Sequence, residues 1–322
     1  MASDTTETRS ARLLGSGAGT QLFLGLLWLG ITVWTTNATI TNTEQDISGT
    51  IGQAAEALPG IVATTIVTGA SIASAAGSRF DRALSRLLIG LIAGALFGVA
   101  VAFGLRLAYG SESSITVLAV TVGLASVVGG AFAVLPNAVL ESGLWAVSWV
   151  FFAFLILGVL QPQLMKWLGG GPTADEAAQA TAGTRILYLI PIAAGVFAGM
   201  HAYRSLRIEG ASAFWYVVTG ALPGIMLLAS EGLTTFGGQS LVEVVHGFTA
   251  NAAQLPDLTS WPRVRDGLLV LAAASFVSLL GGLRAIQVAK REAAEEAAKE
   301  AEEAAREAEE ARREAAEEAG FR

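Results

Sequence analysis

Cysteine is absent from the chain, which rules out a disulfide, a thiolate metal site, a cysteine nucleophile and a lipidated cysteine. The same absence leaves the redox compartment open. Histidine occurs twice, as His201 and His246. Glu243-x-x-His246 would put two ligands on one helix face, but metal sites need three or four. No metal and no cofactor are therefore expected, and His201, beside a basic loop, reads as an interfacial side chain.

Charge is also scarce. Charged residues make up 15% of the 322, against about 25% in a typical soluble chain. No basic stripe is present to neutralise phosphates, so nucleic-acid binding is excluded. The metalloprotease H-E-x-x-H, the G-x-S-x-G nucleophile elbow and the phosphate-binding P-loop are all missing. Gly15-Ser16-Gly17-Ala18-Gly19 lacks the dinucleotide-binding spacing. Nothing points to an enzyme.

What the sequence does contain is long apolar runs. Hydrophobic residues make up 53% of the chain, and there are 37 glycines. From Ile115 to Leu160 the only charge is Glu141, a run too long for one membrane helix of about 20 residues. Pro136-Asn137 breaks it, predicting two helices joined by a turn. The fold class that follows is all-α: a polytopic membrane helix bundle of about eight transmembrane helices in a lipid bilayer.

The expected spans are 21–36, 58–77, 87–105, 115–135, 144–160, 186–203, 211–230 and 267–286. Residues 1–20 read as a flexible N-terminal tail, 21–288 as the bundle and 289–322 as a charged helix. Arg9 and Arg12 before an apolar run resemble a signal peptide, but no clean cleavage site follows, so a retained first span is expected. If the 136–143 hairpin were re-entrant, six spans plus a loop would remain. Loop Lys/Arg place both termini in the cytoplasm of a cell membrane. Arg79, Arg82, Arg86, Arg204, Arg207 and Arg284 fall inside, and Arg106, Lys166, Arg185, Arg263 and Arg265 outside. Arg outnumbers Lys, the bias of a GC-rich prokaryotic genome.

Packing signals sit in three spans. The second is rich in Thr and Ser, which predicts that it faces other helices rather than lipid. In the third, Gly90, Gly94, Gly98 and Ala102 recur every four residues on one face. That stripe predicts a position at the bundle centre or at a homo-oligomer seam, with ordinary packing inside one chain as the plainer reading. Gly195 and Gly199 repeat the device once.

Transport-path candidates are Asn137, Glu141, Pro223 and Gly224. A carboxylate at membrane depth is a functional hypothesis by default, and Asn137 lies four residues before Glu141. The plain alternative puts Glu141 in an aqueous turn. Pro59 and Pro191 fall in expected first turns, which leaves Pro223-Gly224 as the internal break.

The tail, residues 290–322, holds 12 Glu against 7 Lys/Arg. It is built from strong helix formers with favourable i,i+4 pairs and an alanine seam. Alanine buries little area, so a solitary helix is favoured over a stable coiled coil. Two functions compete: a non-catalytic scaffold or accessory subunit whose tail contacts a cytoplasmic protein partner, and a small-molecule permease.

Overall fold

Hydroxyl-bearing residues organise the interior. The computed structural model describes residues 16–41, 47–109, 113–172, 174–208, 211–246 and 261–320, with side chains for 19–35, 58–107, 115–172, 174–207, 211–239 and 261–308. The described residues are helical with no strand. The helices are α1 (Ser16–Thr41), α2 (Ile47–Gly77), α3 (Ala83–Tyr109), α4 (Ser113–Ala131), α5 (Asn137–Val159), α6 (Gln161–Trp167), α7 (Glu176–Ile208), α8 (Ala213–His246) and α9 (Trp261–Gly320). Seven of them contain segments long and apolar enough to cross a membrane. A shorter apolar segment, Gly19–Thr35, lies in α1.

Helix α2 is the hub. In its apolar segment, Leu58–Gly77, 78% of residues are buried, and it packs against α1, α3, α4, α5 and α8. Thr64, Thr65, Thr68, Ser71 and Ser74 all lie inside, as their small, polar side chains predict for an interior helix. Burying a hydroxyl costs free energy unless it is hydrogen-bonded. Thr65 donates to the Ile61 carbonyl at 2.7 Å, Ser71 to Val67 at 2.8 Å and Thr68 to Thr64 at 2.8 Å. Thr68 also lies 2.8 Å from the Gly25 carbonyl of α1, so one hydroxyl joins two helices. Between these groups Leu58, Val62, Ile66 and Val67 form a core with Leu140, Leu144 and Leu222.

Helix α3 is not central. Only 17% of its apolar segment is buried, and Leu84, Leu88, Ile92, Leu96, Val99, Phe103 and Leu107 form an exposed stripe. Its small-residue face lies against α4 within the same chain. A Cβ on Gly94 would sit 2.6 Å from the Ser126 carbonyl, and one on Gly98 2.6 Å from that of Gly123. Gly90 meets Gly130, and Ala102 lies beside Gly123. Ser126 seals the seam by donating to the Gly94 carbonyl at 2.8 Å. A small-residue stripe determines how closely a neighbour can approach, and one neighbour is enough to occupy it, so it places no helix at the centre.

Several helices outrun their apolar segments. Helix α8 continues through 231–246, where a loop was expected: its apolar segment runs on to Gln239 across Gly232 and Gly237-Gly238, and no proline falls between Glu231 and His246. Pro59 and Pro191 consequently lie inside α2 and α7 rather than in first turns. The expected N-terminal tail begins helical structure at Ser16, while residues 1–15 lie outside the described set. At the other end α9 runs unbroken for 60 residues through the tail.

Gly129 of α4 meets the backbone of α2, 2.9 Å from the Ala70 nitrogen measured from an added Cβ. Gly104 meets nothing within 4 Å. Gly129→Val should therefore destabilise the bundle by about 1–3 kcal/mol through overpacking. Gly104→Ala should leave stability unchanged or slightly raised. Size-exclusion thermostability in detergent checks both, and equal melting of the two variants would refute the α2–α4 seam as a packing constraint.

Candidate functional site

Between Ala213 and Gln239 the only charged residue of α8 is Glu231. Its side chain is 6% exposed. The partner comes from the first turn of α9, where Pro262 occupies an early helical position that suits proline. There Arg263 Nε donates to Glu231 Oε2 at 2.7 Å. The other carboxylate oxygen, Oε1, is buried and accepts no hydrogen bond. Beside it on α8, Ser230 and Thr234 are buried and donate to the Leu227 and Ser230 carbonyls, both at 2.7 Å.

Arg265, two residues on, ties α9 to α7 instead. Its guanidinium lies 4.8 Å from the Tyr188 ring centre and 2.8 Å from Asp266 Oδ1. The first turn of α9 is thus fastened to α8 by Arg263 and to α7 by Arg265. One to three turns further along, glycines take over. A Cβ on Gly195 of α7 would lie 3.0 Å from the Val270 carbonyl, and one on Gly220 of α8 2.6 Å from that of Ala274. Gly199 of α7 meets the same Ala274 carbonyl, and Gly224 of α8 meets the Leu271 backbone. Helix α9 is clamped from both sides by backbone contact.

Of the sequence-derived candidates only Pro223-Gly224, Gly195 and Gly199 belong to the helices that form this clamp. Asn137 and Glu141 occupy the first two turns of α5, so Glu141 belongs to the helix and not to the turn before it, and both are half-buried. Helices α4 and α5 are each full-length, joined by a 3-10 turn at Phe132–Val134 and the extended Leu135-Pro136. Asn137 donates to the Ser78 carbonyl at 3.3 Å, and the Glu141 carbonyl accepts from Gln21 of α1 at 2.8 Å. Pro223 and Gly224 are buried in mid-α8. A Cβ on Gly143 would lie 3.2 Å from Leu222 Cβ, so the start of α5 meets the Pro223 region. Glu243 and His246 lie in α8, but their side chains are outside the described residues. Among the described residues no group of three His, Cys, Asp or Glu could hold a metal.

His201 stands 5.9 Å from Trp145 and 6.2 Å from Trp149, ring centre to ring centre, with Ser205 Oγ 3.3 Å from its Nε2. The long geometry and the shared helix face make this a packing contact. The Glu231–Arg263 pair was missed by sequence reasoning, because the seventh span was ended at Ser230. The rule that singled out Glu141, one charge in a long apolar run, finds Glu231 once α8 is extended. Comparison with known protein families, characterised proteins and solved structures finds no match for the chain.

Removing Arg263 strands a buried carboxylate. Breaking a fully buried pair costs about 3–5 kcal/mol, and the 35% exposure of the Arg263 side chain lowers the expected loss below that range. Arg263→Ala should destabilise the protein more than the double variant Glu231→Gln/Arg263→Met. Thermal melting of the purified variants tests this, and a double variant as unstable as Arg263→Ala would show that the pair is not what holds α8 to α9.

Proposed function

We propose that the chain is an integral membrane anchor that presents a charged helix to the cytoplasm, a non-catalytic scaffold or accessory subunit. The observation that carries this reading is the exposed stretch of α9. From Gln287 to Ala308 every residue is exposed, although the helix is continuous with the segment clamped between α7 and α8. A helix of 34 residues from Gln287 to Gly320 would extend about 50 Å at 1.5 Å per residue. Helix continuity transmits the orientation of the clamped segment to the tail, so a bound partner would be held at a set angle to the bundle.

Eight spans complete the proposed topology, with Gly19–Thr35 as the shortest. The Lys/Arg distribution supports both termini on the cytoplasmic side. A chain without cysteine suits a direct test. An impermeant maleimide added to intact cells should label Lys166→Cys and leave Asp81→Cys unlabelled until the cells are opened. Labelling of Asp81→Cys alone would invert the orientation.

The scaffold role predicts that a chain ending at Lys290 keeps the melting temperature of the full chain while losing a partner the full chain retains on gentle purification. Loss of bundle stability on truncation would assign the tail to folding instead. A second reading, a small-molecule permease, is favoured by the buried Glu231–Arg263 pair and by Pro223 inside α8. Ionisable groups inside apolar helices commonly mark transport paths.

A further inference from the structure

The tail reads as three copies of one heptad: Ala294–Glu300, Ala301–Glu307 and Ala308–Glu314 follow Ala-Glu-Glu-Ala-x-basic-Glu. All three lie within α9. At 100° per residue, Ala294, Ala297, Ala301, Ala304, Ala308 and Ala311 make a narrow stripe. The basic residues Lys299, Arg306 and Arg313 fall opposite it. Each sits four residues after one Glu and three after another, the spacings at which helical side chains meet. Arg306 lies 2.7 Å from Glu302 in this way. Glu300, Glu307 and Glu314 differ. No Lys or Arg stands three or four residues from any of them. They recur every seven residues, about 10.5 Å apart, along one edge of the alanine stripe.

We propose that this edge docks a partner helix carrying Lys or Arg at matching heptad positions, and not a second copy of this chain. The inference rests on reading the tail as a docking element. Charge complementarity selects the occupant. In a parallel pair of copies Glu300, Glu307 and Glu314 would face Ala305, Arg312 and Ala319, giving one ion pair per edge. In an antiparallel pair Glu would face Glu, which repels. A basic edge meets all three carboxylates, and the alanine stripe lets the backbones approach closely. Each of the other six Glu in the three heptads has a Lys or Arg three or four residues on, so the carboxylates that lack one lie along a single side.

The test uses the full chain in lipid nanodiscs and a labelled four-heptad synthetic peptide with Leu at its seam and Lys on both flanks. A peptide with Glu flanks is the control. Fluorescence anisotropy at about 0.05 M salt, where surface charges are weakly screened, reads the affinity. Only the Lys peptide should bind, and a chain ending at Lys290 should not bind it. The triple variant Glu300→Gln/Glu307→Gln/Glu314→Gln should weaken binding about tenfold, or about 1.4 kcal/mol. The back-face variant Glu296→Gln/Glu303→Gln/Glu310→Gln removes the same charge and should weaken it less than twofold. Circular dichroism confirms that both remain helical. Equal weakening by the two triples would overturn the edge while leaving the tail as docking element. Failure of the Lys peptide to bind the full chain, or a tail-dependent dimer by light scattering, would overturn the choice of occupant. Equal binding to full and truncated chains would overturn the docking tail itself.

Discussion

Direct contact between helix backbones is the constraint on which the architecture depends. Gly129 against α2, Gly94 and Gly98 against α4, and Gly195 and Gly220 against α9 each occupy a position where a side chain has no room. In the proposed membrane setting this is the expected currency of association. Lipid tails are as apolar as leucine, so helices gain little by burying leucine against one another. Close approach gains dispersion contacts and weak Cα–H to carbonyl interactions instead. The Ala274 carbonyl lies against glycines from two helices, α7 and α8. A side chain at Gly199 or Gly220 would push α9 away, and with it the tail.

The same economy governs polar groups. Interior hydroxyls on α2 mostly bond carbonyls of their own helix, which satisfies them without tying neighbours in place. Thr68, Ser126 and Gln21 are the exceptions that cross between helices, to α1, α3 and α5 respectively. Glu231 and Arg263 form a stronger tie, located where α9 begins. That pair and the Arg265–Tyr188 contact hold the first turn, and the glycine clamp continues the grip further along. Helix α9 therefore continues past the bundle as the same helix that this grip holds.

Element existence was legible from composition. Each expected span lies on a described helix, because a stretch of apolar residues signals its own length. The interior position of α2 was legible too, from Thr64 to Ser74, since hydroxyls facing lipid would be poorly solvated. Helix ends were less readable. The charge at Glu231 looks like the end of an apolar span, yet α8 stays apolar on average to Gln239 and helical to His246. That misread end hid Glu231. The same reading of helix ends made Pro59 and Pro191 look terminal. The three-fold heptad of the tail was present as letters, but only its alanine seam and its i,i+4 pairs were recognised.

By itself, the sequence determined the helical class, the apolar segments, the interior character of α2 and the charged, breaker-free tail. These follow from local chemistry: side-chain hydropathy, propensity and spacing along one helix. Tertiary structure alone decided that α3 lies at the edge, that α9 is clamped between α7 and α8, and that Glu231 meets Arg263. A helix face carries no label for its partner. The small-residue stripe on α3 fits any neighbour of complementary shape, and an acid meets a base 32 residues away only when two helices are set side by side.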